Sequence, residues 1–160
     1  LASLGIPLII LPHLPHTYLD GACFLSPEGN PVIGMTLRYD RQDNFWFTLA
    51  HELAHIKLHL LRGDHSVFID NTEHADPDCD EKEKQADQFA SEMLIPPSKW
   101  DEEKDKILAS NAKSDLIKFA EELEIGPAIV AGRIRHIKGD YSLFAGLLGS
   151  GYVKNLFAEG

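Results

Sequence analysis

The residues with the most chemical content are His51-Glu52-Leu53-Ala54-His55. On an α-helix, residues four apart share a face, so both imidazoles can reach one cation. Glu52 sits beside them, where a carboxylate can take a proton from water that the cation acidifies. As a bare pattern HExxH also occurs on surface helices that happen to carry two histidines. Its surroundings argue against that reading here. From Asp43 to Leu61 no residue breaks a helix, and the segment is apolar on most sides, from Phe45-Trp46-Phe47 through Leu49, Leu53 and Ile56 to Leu60. A helix of that kind is buried. Burying three polar groups without partners costs roughly 1–3 kcal/mol each, and a metal ion with its water satisfies all three.

A catalytic zinc takes three protein ligands and keeps one position open, so a third donor must come from elsewhere. His59 lies nearly in line, but on one straight helix it stands about 12 Å from His51. Leu58 and Leu61 also replace the Gly and His of an HExxHxxGxxH pattern. His59 is therefore read as a satisfied polar residue at the helix end, and His65 and His74 as solvated loop residues. The better donor is in a second helix, from about Asp80 to Ile95, which stops at Pro96-Pro97. Its inward stripe is Ala86, Phe89, Ala90, Met93 and Leu94. At about 100° per residue, Glu83 falls roughly 20° from Ala90, whereas Glu81 falls about 180° away. Glu92 also points outward. Glu83 is the predicted third ligand. Asp87 follows at i+4 and can accept the second N–H of a ligating histidine, fixing its tautomer. An ordinary polar role at the edge of the stripe is an equal alternative for Asp87.

These two helices need a scaffold. Leu8-Ile-Ile-Leu11, Ala22-Cys-Phe-Leu25 and Val32–Leu37 have the composition of strands. Ser26-Pro-Glu-Gly-Asn30 has turn chemistry, so the second and third form a hairpin. Pro31 lacks an N–H and favours an edge position for the third. Ser66–Asp70 is a further short strand, and residues 71 to 82 read as an acidic, mobile loop. Asp43 or Asn44 can cap the first helix and Gly63 marks its end. Three more helical patterns follow, at about 98–109, 114–124 capped by Ser114, and 127–138 with Pro127 in its first turn. The Gly-rich apolar tail from Tyr141 has no clear pattern. The sequence thus predicts an α+β class, with residues 1–97 as the metal-binding core and 98–160 as a helical extension packed on it.

Composition narrows the function further. The 160 residues carry 15 Lys and Arg against 25 Asp and Glu, a formal net charge of −10. Phosphate binding needs a basic face, so direct nucleic-acid binding is not expected. Arg133, Arg135, His136 and Lys138 are locally basic, but a DNA-binding pair of helices over 114–138 is a weak reading in so acidic a chain. No apolar run approaches the roughly 20 residues a bilayer requires. Cys23 and Cys79 make neither a disulfide framework nor a CxxC knuckle, which fits a reducing cytosol. The chain begins with Leu1 rather than Met, so a fragment or processed chain is the expectation.

The motifs together carry a resemblance. His51-Glu-Leu-Ala-His55, Glu83-Lys-Gln-Ala-Asp-Gln-Phe-Ala90 and Leu94-Ile-Pro-Pro97 resemble the ImmA/IrrE family of zinc metallopeptidases. Leu37-Arg-Tyr-Asp40, Phe45-Trp-Phe47 and the segment Ile125–His136 look like the peptidase half of HigA-type antidote proteins. Ala54 stands where Gly is frequent and Gln85 where an acidic residue is common. The resemblance implies a zincin-like fold of the gluzincin type, with a small sheet beside the HExxH helix. It also implies zinc, cleavage of a regulatory protein such as a transcriptional repressor, and in many members a helix-turn-helix domain upstream. The expected chemistry is zinc held by His51, His55 and Glu83, with Glu52 as the general base. An extended substrate would pair with the edge strand near residues 32–37. Tyr39 and His136 are minor options for oxyanion donors. The acidic stretch from Asp70 to Glu83 would rim the cleft and favour basic or neutral segments. The rival reading is a zinc-holding regulatory module of a toxin–antitoxin or stress-response system, which binds a protein partner without cutting it.

Overall fold

The computed structural model describes residues 1–13, 19–64, 67–69 and 77–157. Among them are four strands, β1 (Leu8–Leu11), β2 (Gly21–Leu25), β3 (Pro31–Thr36) and β4 (Phe68–Ile69). Six α-helices accompany them: α1 (Gln42–Leu58), α2 (Pro77–Leu94), α3 (Pro97–Ala109), α4 (Lys113–Glu122), α5 (Pro127–Lys138) and α6 (Tyr152–Phe157). The class is α+β. The chain forms two compact units, Leu1–Arg38 with Thr48–Ala90, and Tyr39–Phe47 with Ser91–Gly160. No helix among the described residues is long and apolar enough to cross a membrane.

In the first unit the strand order is β1-β3-β2-β4, with β1 parallel to β3 and the other pairs antiparallel. The hairpin turn is closed by Ser26 N–H donating to Asn30 O at 2.8 Å, with Gly29 at φ 83. This order corrects the expectation drawn from Pro31. β3 is an interior strand, paired on both sides, so neither Pro31 nor residues 32–37 mark an edge. Pro31 is tolerated because it is the first residue of the strand and β1 joins the ladder only at Ile33. Successive side chains alternate between the two faces. Cys23, Ile33, Met35 and Phe68 are buried on one face. On the other, Ile9, Leu11, Phe24 and Ile69 are exposed.

The apolar length of α1 overstates its burial. Trp46 is 46% exposed, and burial sets in at Thr48 and continues through the HExxH residues. Asp43 does not cap the helix; its carboxylate accepts from Arg41 Nε at 3.0 Å and Nη2 at 3.2 Å. The helix ends at Leu58, and Gly63 instead closes the 3-10 turn Leu60–Arg62, at φ 96. The acidic stretch read as a loop is helical from Pro77 onward, while 71–76 lie outside the described residues. Proline suits a first helical position, and acidic residues suit a helix N-terminus, so composition that looks loop-like also starts a helix. Met93, assigned to the inward stripe of α2, is 47% exposed; Ala86 and Ala90 are its fully buried members. His65, Ser66, Asp70 and His74 fall outside the described residues.

The second unit has its own core, built from Trp100 and Ile107 of α3, Leu116 and Phe119 of α4, Val130 and Ile134 of α5, and Phe144 and Leu148 of the tail. Ser114 is not the cap of α4, which begins at Lys113. Ser110 serves this turn instead, accepting from Ala112 N–H at 3.0 Å and donating to Asp115 at 2.6 Å. The tail without a clear pattern contains a 3-10 turn, Ala145–Leu147, and then α6.

Candidate metal centre

Helical spacing sets the first part of the site. His51 and His55, one turn apart on α1, are 4% and 1% exposed, and Glu52 between them is fully buried. Their Nε2 atoms lie 2.9 Å from each other. Glu83 of α2 completes the group, with Oε2 3.0 Å from His51 Nε2 and Oε1 3.3 Å from His55 Nε2. These three side chains are the group among the described residues whose donor atoms could hold one metal ion. Tetrahedral zinc with bonds of about 2.0–2.1 Å separates its ligand atoms by about 3.3 Å, close to the spacings here. Two buried imidazoles and a partly buried carboxylate that converge in this way fit a borderline-soft divalent cation.

The partner of His51 strengthens this fit. Nδ1 of His51 lies 2.9 Å from Asp87 Oδ1. A carboxylate there holds the proton on Nδ1 and leaves the Nε2 lone pair directed at the convergence point. Asp87, for which the sequence left two roles open, thus stands at hydrogen-bond distance from His51. Without metal, burial pushes the His51 pKa down, but hydrogen bonds to Asp87 and Glu83 outweigh it and hold it at about 10. Burial likewise raises Glu83, but hydrogen bonds from His51 and His55 outweigh that and bring it to about 2. The same atoms that would bind a cation thus bind a proton when none is present.

Three residues that sequence reasoning did not select stand around this group. Gly21 opens β2 against Glu52: a Cβ there would lie 2.4 Å from Glu52 Oε1 and 2.7 Å from Thr48 Cγ2. Cys23, two residues on, is a free, buried thiol. Burial, the Glu52 charge and a hydrogen bond to Glu52 push it well above the ordinary thiol range. Phe68 of β4 stacks on His55, with ring centroids 4.5 Å apart and planes inclined at 20°. A glycine at a strand position was the one available sign, since it often marks a close approach.

His59 is in part the satisfied polar residue expected at the helix end, with a hydrogen bond to the backbone of Lys82. It is 8% exposed, and its Nε2 has no hydrogen-bond partner among the described residues. Burial and the neighbouring His55 lower its pKa. Tyr39 and His136 both fall in the second unit and are exposed there, Tyr39 beneath the Arg41 guanidinium.

Residues 2–135 match the family model described as the IrrE N-terminal-like domain, a peptidase family. The chain belongs to this family. No curated protein matches the chain. The sheet beside an HExxH helix is the zincin-like arrangement, and the IrrE N-terminal-like assignment agrees with it. The match takes in α1, α2 and most of α5, so this IrrE-like chain carries His51, His55 and Glu83 within the matched region.

Proposed function

We propose that this chain is a zinc-dependent metalloendopeptidase that hydrolyses a peptide bond in a regulatory protein such as a transcriptional repressor. One observation carries the reading: His51, His55 and Glu83 converge within ligand distance, beside a buried Glu52, in a member of a peptidase family. When bound, zinc supplies Lewis acidity, which polarises a carbonyl and acidifies water. His51, His55 and Glu83 would hold it, and Asp87 would keep His51 in the ligating tautomer. Glu52 is not needed to hold a metal. Its role is to take a proton from the attacking water and pass it to the leaving amine. Burial beside Gly21 keeps its carboxylate in one place between those two transfers.

Among the described strands the sheet ends on one side at β4, which carries Phe68 against His55. An extended substrate would add along this edge, near Phe68 and Ile69, through main-chain hydrogen bonds. Metal analysis, together with cleavage of a proteome-derived peptide library read by mass spectrometry, tests the proposal. Wild type is expected to hold one zinc and cut, Glu83→Ala to lose zinc, and Glu52→Gln to keep zinc without cutting. Full zinc in Glu83→Ala would remove the ligand assignment. Cleavage by Glu52→Gln would remove the mechanism. A zinc-loaded wild type that cuts nothing would return the non-cleaving regulatory module.

A further inference from the structure

The two histidines of the motif are not held in the same way. His51 uses both ring nitrogens, Nε2 toward Glu83 and His55 and Nδ1 toward Asp87. His55 uses one. Its Nε2 faces His51 and Glu83, while its Nδ1 is buried and has no hydrogen-bond partner among the described residues. A metal-ligating histidine ordinarily gives that second N–H to a carboxylate, carbonyl or water, which fixes the ring plane. Where that bond is missing, packing must set the ring plane, because the last torsion has only a broad preference of its own.

What His55 has instead is a flat neighbour. The Phe68 ring lies 4.5 Å from it and within 20° of parallel. Phe68 is itself well fixed, being 6% exposed and paired in register with Cys23 of β2. His59 packs on the same phenyl ring, with centroids 5.4 Å apart and planes at 29°. Aromatic rings at such separations attract, and a flat face excludes the volume that a turning imidazole would sweep. We propose that Phe68 is a positioning residue for His55, its phenyl face setting the imidazole plane that a hydrogen bond at Nδ1 would otherwise set. The proposal rests on the metal-site reading above. It assigns the two ligating histidines two different means of orientation, Asp87 for one and Phe68 for the other.

Zinc dissociation constants, measured by competition with a chromophoric chelator, separate this role from plain core packing. Phe68→Leu keeps most of the buried volume and removes the flat face. It is expected to weaken zinc binding about tenfold, at the low end of the 10–100-fold typical of groups that orient metal ligands. Phe68→Tyr keeps the face and is expected to bind zinc like wild type. A loss of thermal stability in metal-free Phe68→Leu accompanies either role and decides nothing, so affinity is the readout. Should Phe68→Leu not fold, Phe68→Met carries the same comparison. Wild-type affinity in the folded Leu or Met variant, with Asp87→Ala weakened, would overturn the positioning role alone. A wild-type protein that takes up no zinc would overturn it together with the metal site.

Discussion

Nδ1 of His51 lies 2.9 Å from Oδ1 of Asp87, so the helix turn that supplies Glu83 also orients the histidine facing it. Asp87 is 58% exposed, and losing its side chain leaves no hole in the core. Asp87→Ala is therefore expected to weaken zinc binding about 10–100-fold. The metal-free protein should also lose about 1–3 kcal/mol, because the buried His51 Nδ1 is left without its partner. Asp87→Asn, whose amide oxygen can still accept from Nδ1–H, should fall between. Calorimetric titration with zinc checks the order. Equal affinity in all three proteins would show that the contact does not orient the ligand.

Gly21 has no side chain because Glu52 occupies the place where one would be. With a Cβ there only 2.4 Å from Oε1, Gly21→Ala must displace the carboxylate or the strand. The expected result is a protein that keeps its zinc and loses at least about tenfold in cleavage rate, with overpacking costing about 1–3 kcal/mol of stability. Zinc content, thermal melting and kcat/KM on a cleaved peptide report the three effects separately. Unchanged kcat/KM would show that Glu52 does not need its observed position.

How much of this was legible in the sequence depends on the range of the interaction concerned. His51 and His55 are one helical turn apart, so spacing alone brings them together, and Glu83 follows from the phase of a single helix. Leu8–Leu11 and the hairpin around Gly29 were legible for the same reason: strand composition and turn residues are local. The interior place of β3 was not, because β1 crosses to pair beyond its sequence neighbour and no local pattern records that choice. Pro31 consequently pointed the wrong way. Gly21, Cys23 and Phe68 reach the site from β2 and β4, far along the chain from Glu52 and His55. Their meaning depends on sheet pairing, which the motif does not encode.

Protonation should govern the metal-free protein. The His51 pKa is raised from 6.5 to about 10, so its contribution to stability is full below pH 6.5 and is lost as pH rises through 10. The Glu83 pKa is lowered from 4.5 to about 2, so its contribution is full above pH 4.5 and is lost as pH falls through 2. The pair therefore stabilises the metal-free chain most between pH 4.5 and 6.5. The difference in melting temperature between metal-free wild type and Glu83→Gln should be greatest in that window and shrink on either side. Zinc needs the unprotonated His51, so its affinity should rise with pH up to about 10, with proton release on binding. A flat stability difference or a pH-independent affinity would contradict the pairing.

Arg133 was noticed for its charge, yet its surroundings make it a structural residue of the second unit. Its guanidinium carbon stands 4.2 Å from the Trp100 ring centroid, and Nη1 donates to Ser91 O at 3.1 Å and Ile95 O at 3.4 Å. Those carbonyls close the C-terminal end of α2, where a cation also meets the negative end of the helix dipole. A planar guanidinium can stack and donate at once, which an ammonium on a flexible stem cannot. Arg133→Lys is therefore expected to lose about 1 kcal/mol and Arg133→Ala about 2 kcal/mol, on the scale of a partly buried cation–π contact with its hydrogen bonds. Urea denaturation measures both. Zinc affinity should be unchanged in either variant, because the ligands and Asp87 belong to the other unit. Equal stability of all three proteins would leave the charge of Arg133 to be explained by something outside the fold.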